Sequence, residues 1–154
     1  MTTCTQIEDF LAQKRLAIIG VSRNPKDFTR TMFEEFQRRD YVVSPVNPGV
    51  DEIDGHRCYA RVCDIESPVD GALLMIKPAA TERVVRECEA AGIRRIWMYR
   101  AAGRGAVSPS AVRFCEVNGM SVIAGECPFM FLPATPWLHR LHGLCRKLTG
   151  SYPA

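Results

Sequence analysis

The chain has 154 residues, 47% hydrophobic and 24% charged, with a formal net charge of +3. That length suffices for one domain with a real core, and so small a charge does not argue for nucleic acid, for which no zinc-finger spacing or aromatic-plus-basic sheet motif speaks either. No uncharged stretch is long enough to span a bilayer, and residues 1–15 lack the apolar run of a signal peptide. The expectation is one cytoplasmic domain over 1–154, with a core at about 7–127 and an extension at 128–154.

Seven cysteines are present, and none falls in a C-x-x-C pair. They read as reduced thiols used as small apolar residues. Residues 5–14 have the spacing of a short amphipathic helix, with Ile7, Phe10 and Leu11 on one side. Leu16–Val21 is apolar and partly β-branched, the mark of a buried strand. Gly20-Val21-Ser22 breaks that run. A helix follows, starting between Asp27 and Thr31, with Phe28, Met32, Phe33 and Phe36 on one face. Asp27 can cap it, and Thr31-x-x-Glu34 fits a capping box.

The second strand is Tyr41–Val46, closed by the turn Asn47-Pro48-Gly49. Asp51–Glu66 reads as irregular, with one helical turn near Tyr59–Cys63. The third strand is Gly71–Ile76, and a helix over Ala80–Ala91 stops at Gly92. Arg95–Met98 is the fourth strand. Ser108-Pro109 opens a third helix, which runs to Val117. Met120–Ala124 is the fifth strand. Trp137–Leu148 then shows helical spacing of leucines and would pack on the sheet or form a homodimer contact. This rhythm predicts an α/β, Rossmann-like parallel sheet of about five strands, with helices on both faces and a C-terminal amphipathic helix.

In such a sheet, ligands bind beyond the carboxyl ends of the strands. Those ends are Gly20-Val21-Ser22-Arg23, Val46-Asn47-Pro48, Ile76-Lys77-Pro78, Met98-Tyr99-Arg100 and Gly125-Glu126-Cys127. Arg23, Lys26, Lys77 and Arg100 converge there, joined by Arg30, which asks for an anion. A strand, a small-residue turn and a helix start together make a phosphate site.

An NAD(P)-dependent oxidoreductase would carry G-x-G-x-x-G in the first turn and an acid at the end of strand two. Neither is present, and no P-loop lysine motif is found. A redox-thiol or metal protein would use Cys127 with His139-x-x-His142-x-x-Cys145. Cys145, however, falls on the apolar helix face, apart from His139.

The order of short motifs resembles that of the small bacterial CoA-binding proteins. These share the Rossmann-like CoA-binding domain of the succinyl-CoA synthetase α subunit. The matching residues are Gly20-Val21-Ser22 with Pro25, Val46-Asn47-Pro48, Gly55 with Cys58-Tyr59, Asp64-Ile65, Lys77-Pro78, Gly92 and Trp97-Met98. They extend over about residues 7–127. Tyr99 stands where the family commonly has Gln.

The resemblance implies CoA or an acyl-CoA as ligand, with no catalysis required of the domain. On that basis the diphosphate is expected on the N–H groups of Val21–Arg23, with Ser22 hydrogen-bonding it and Arg23 and Lys26 supplying charge to it or to the ribose phosphate. Adenine would lie between the ends of strands two and three, against Val46, Pro48, Ile76 and Pro78. Asn47, Lys77 and Met98 complete the set. The pantetheine would run toward Tyr99 and bring its thiol near Cys127.

Overall fold

The structure, a computed structural model, describes residues 2–100 and 105–133. Five parallel strands form the sheet: β1 (Arg15–Ile19), β2 (Val42–Val46), β5 (Gly71–Leu74), β6 (Arg95–Met98) and β7 (Ser121–Ala124). Their spatial order is β2-β1-β5-β6-β7. Four helices flank it: α1 (Cys4–Ala12), α2 (Phe28–Gln37), α3 (Pro78–Ala90) and α4 (Pro109–Val117).

Strand side chains alternate between two cores, because successive residues point to opposite faces. Leu16, Ile18, Leu73, Trp97 and Ile123 pack with Ile7 and Phe10 of α1 and with Met32, Phe33 and Phe36 of α2. Ala17, Ile19, Ala72, Leu74, Ile96, Met98 and Val122 pack with Val84, Val85 and Cys88 of α3 and with Ala111 and Cys115 of α4. Both faces are therefore covered, which is why these strands read as continuous apolar runs. Trp97 is fully buried, meets Phe10 edge-on at 5.2 Å and donates its indole N–H to the Glu126 carbonyl. Truncating such a side chain to alanine costs about 3–5 kcal/mol.

Helix starts follow local chemistry. Thr3 and Gln6 form a capping box on α1, and Asp27 accepts the Thr29 amide at the start of α2. Helix α3 begins at Pro78, two residues before the expected Ala80. Proline at the first helical position loses no internal hydrogen bond.

Three expectations change, the first being that β5 ends at Leu74 rather than Ile76. β1 ends at Ile19 rather than Val21, because Gly20 turns the chain at φ +100°. The stretch expected to be irregular contains a hairpin, β3 (Glu52–Ile53) and β4 (His56–Arg57), followed by a 3-10 turn at Val62–Asp64. Asp54 and Gly55 both take positive φ (51° and 77°), the geometry an Asp-Gly hairpin turn requires. Past the hairpin, Tyr59 runs along the outer side of β2. Its N–H reaches the Pro45 carbonyl at 3.0 Å, and its carbonyl takes the Asn47 N–H at 2.9 Å.

The strand order reverses between β1 and β5. The end of β1 thus lies between the ends of β2 and β5, and all three open on one crevice.

Candidate functional site

The first turn is held from three sides. Gly20 donates its N–H to Val46 at 2.8 Å. A Cβ at Gly20 would lie 2.5 Å from the Met75 carbonyl oxygen. The neighbouring strand by itself therefore demands glycine here. Asn47 donates to the Val21 carbonyl at 2.7 Å and accepts the Gly49 N–H at 2.9 Å, so its side chain fastens the end of β2 to the turn.

Arg30 comes from below. It is buried and ion-paired with Asp54 of the hairpin, and its Nη1 lies 3.5 Å from the carbonyl oxygens of both Ser22 and Arg23. Its Nε has no partner among the described residues. Arg30 thus supports the turn from inside the fold rather than standing at the rim.

The amides of the turn divide into used and unused. Ser22 N–H donates to the Thr29 hydroxyl, which itself donates to Asp27. Asn24 N–H donates to the Ser22 hydroxyl, and Lys26 N–H to the Asn24 side chain. Among the described residues, the Val21 and Arg23 amides keep no internal partner. The start of α2 carries its own carboxylate in Asp27, which takes the Thr29 amide.

Arg23, Lys26 and Lys77 are exposed around this crevice and form no ion pair among the described residues. Arg100 lies over Gly125, with Nη2 3.1 Å from the position of an added Cβ, which brings the ends of β6 and β7 together. Pro48 is exposed on its turn. Pro78 is the first residue of α3. Val46 and Met98 belong to the α3/α4 core, and the Val21 side chain to the α1/α2 core.

Beside the turn opens a pocket of about 340 Å³ lined by Phe28, Thr29, Met75, Ile76, Tyr99, Gly105 and Ala106. Ile76 and Tyr99 were expected at the site; the others were not. Phe28 is 39% exposed, and its ring lies 5.6 Å from Tyr99 and 5.5 Å from Phe129. Helical spacing groups Phe28 with the core residues Met32 and Phe36, so no sequence signal marked it as pocket lining. Thr81 holds the far wall by donating its hydroxyl to the Ala106 carbonyl at 2.7 Å.

Tyr99 is half-buried. That burial, with the nearby Cys127, pushes its phenol up to about 12. Cys127 lies in the α1/α2 core, and burial pushes its thiol up from the ordinary value. A buried, protonated thiol is a poor nucleophile. Among the described residues no three His, Cys, Asp or Glu side chains group to hold a metal, and no helix is long and apolar enough to cross a membrane. His139, His142 and Cys145, and the helix expected over Trp137–Leu148, lie outside the described residues.

The sequence model of the CoA binding domain matches residues 14–133. The chain is 30% identical over 81 residues to the ADP-forming acetate–CoA ligase of Methanocaldococcus jannaschii; this covers 53% of the chain but only 12% of that ligase. It is 25% identical over 123 residues to YneT of Bacillus subtilis, covering 79% of the chain and 88% of that protein. A solved structure of a hypothetical protein from Pyrococcus horikoshii OT3 superposes with a TM-score of 0.75 at 25% identity, covering 80% of this chain and 85% of the other. With its Rossmann-like sheet and the motifs that run along it, the chain belongs to the CoA binding domain family.

Proposed function

We propose that the protein binds CoA across the carboxyl ends of β2, β1 and β5 and acts as a binding domain rather than a catalyst. The phosphates lie over the first turn. The Val21 and Arg23 amides point to them, and the Ser22 hydroxyl, which already accepts from Asn24, keeps its own hydrogen to donate. Arg23 and Lys26 supply charge from one side and Lys77 from the other. Arg30 contributes by holding the Ser22 and Arg23 carbonyls inward, which turns the Arg23 amide outward. Adenine lies by Pro48 at the end of β2, and the pantetheine arm enters toward Ile76 and Tyr99.

The observation that carries this reading is the pairing of an apolar pocket with a cationic rim at the point where strand order reverses. A dinucleotide enzyme would place an acid at the end of β2, where Asn47 is committed to Val21.

Isothermal titration with CoA, dephospho-CoA and NADH tests it. CoA is expected to bind and to raise the melting temperature by mass action, and NADH to do neither. Binding of NADH without CoA would overturn the reading.

A further inference from the structure

The pocket differs chemically from the rim around it. Its polar groups are few, and the fold has already used most of them. The Thr29 hydroxyl accepts from Ser22 and donates to Asp27. The amides of Met75, Tyr99 and Ala106 donate to the carbonyls of Ile19, Leu74 and Tyr99, and the Ala106 carbonyl takes the Thr81 hydroxyl. Among the described residues, no charged side chain stands in the lining.

A purine in this pocket would find the Tyr99 hydroxyl as its one side-chain partner with a free hydrogen among the described residues and would leave most of its ring nitrogens and amino group unpaired, at the cost of their desolvation. A phosphate would fare worse. An aliphatic chain gives up no hydrogen bond on entering and releases the water it displaces. It would also cover Phe28, which stays 39% exposed although two aromatic rings flank it.

Size points the same way. The pocket is about 340 Å³ and opens beside the first turn. A terminal thiol leaves most of that space unfilled. A short or medium aliphatic acyl group on the end of a pantetheine arm occupies that space and meets the apolar lining. Charge complementarity completes the match. The cations stand on the rim and the apolar wall lies inside, so the site suits a ligand with a polyanionic head and an apolar end.

We infer that the ligand is a CoA thioester of a short or medium aliphatic acid, with its acyl chain between Phe28, Met75, Ile76 and Tyr99. This rests on the CoA binding proposed above and adds the class of thioester.

The test is a calorimetric series of CoA, acetyl-CoA, butyryl-CoA and hexanoyl-CoA. Each added methylene is expected to tighten binding by up to about fourfold, which is ~0.8 kcal/mol per buried CH₂ at 1.4 kcal/mol per tenfold. Phe28→Ala and, independently, Ile76→Ser are expected to flatten that gradient. The readout is the ratio of hexanoyl-CoA to CoA affinity within each variant, so a general loss of affinity does not disturb it. Equal affinity for CoA and hexanoyl-CoA in the wild-type protein overturns the inference and leaves CoA binding standing. So does a gradient that survives both substitutions. Failure of CoA and all its thioesters to bind overturns both.

Discussion

Asn47 and Val21 are twenty-six positions apart, yet the Asn47 amide donates to the Val21 carbonyl at 2.7 Å. The same side chain takes the Gly49 N–H, so one residue sets both the turn after β2 and the turn after β1. Asn47→Leu removes both bonds and leaves the carbonyl of the buried Val21 unpaired. The expected loss is about 1–3 kcal/mol in urea denaturation. Asn47→Asp keeps the acceptor for Gly49 but not the donor to Val21, and is expected to lose part of that. Wild-type stability in Asn47→Leu would show the bond to be idle.

Gly20 and Gly55 both take positive φ but for different reasons. Gly55 has open space around a Cβ, whereas Gly20 faces the Met75 carbonyl. Gly55→Ala is therefore expected to cost only backbone strain, about 1 kcal/mol, and Gly20→Ala about 2 kcal/mol or more because β5 must also shift. Thermal and chemical denaturation of the two variants checks the order.

Arg23 and Arg30 are seven residues apart and should fail in opposite ways. Arg23 is exposed and unpaired among the described residues, so Arg23→Ala should leave stability within about 0.5 kcal/mol of wild type. Its affinity for CoA should fall about tenfold, since a charge-assisted bond is worth roughly 1.5–3 kcal/mol. That loss should shrink as salt rises. Arg30→Ala instead leaves Asp54 unpaired and the turn unsupported. It is expected to cost about 2–3 kcal/mol of stability, less than for a fully buried pair because Asp54 is half-exposed. Equal destabilisation by the two would contradict this division of roles.

The thiols should separate by burial. Cys88 and Cys115 are fully buried, and that burial pushes both up to about 12. Cys63 is exposed. Alkylation of the native protein is expected to label Cys63 within minutes and to reach Cys88, Cys115 and Cys127 only in denaturant. Peptide mass mapping reads the order, and rapid native labelling of Cys127 would reopen a redox role.

The strands and helices were legible because their apolar residues repeat at the right periods. β6 and the end of α4 were read to the residue, and α2 began at its Asp27 cap. The hairpin was missed although Asp54-Gly55 marks it, because its strands are two residues long and show no alternation.

Among candidate site residues, position along the chain located the strand ends but not the side-chain partners. Arg30 reads as a surface cation until Asp54 arrives from twenty-four residues away. Phe28 reads as core until the strand order shows that the start of α2 overhangs β5 and β6. Both depend on which strands lie side by side, and hydrophobic period carries no information about that.

Pro45 has one more consequence. Residues of β2 face β1 and the outside by turns, and Pro45 faces outward with no N–H to offer, while its carbonyl is taken by Tyr59. Among the described residues, that leaves Val43 as the one position of β2 able to offer both an amide and a carbonyl to an incoming strand. A second molecule cannot extend the sheet there by templated strand addition. Proline and the returning chain act together as a built-in guard against aggregation along that border.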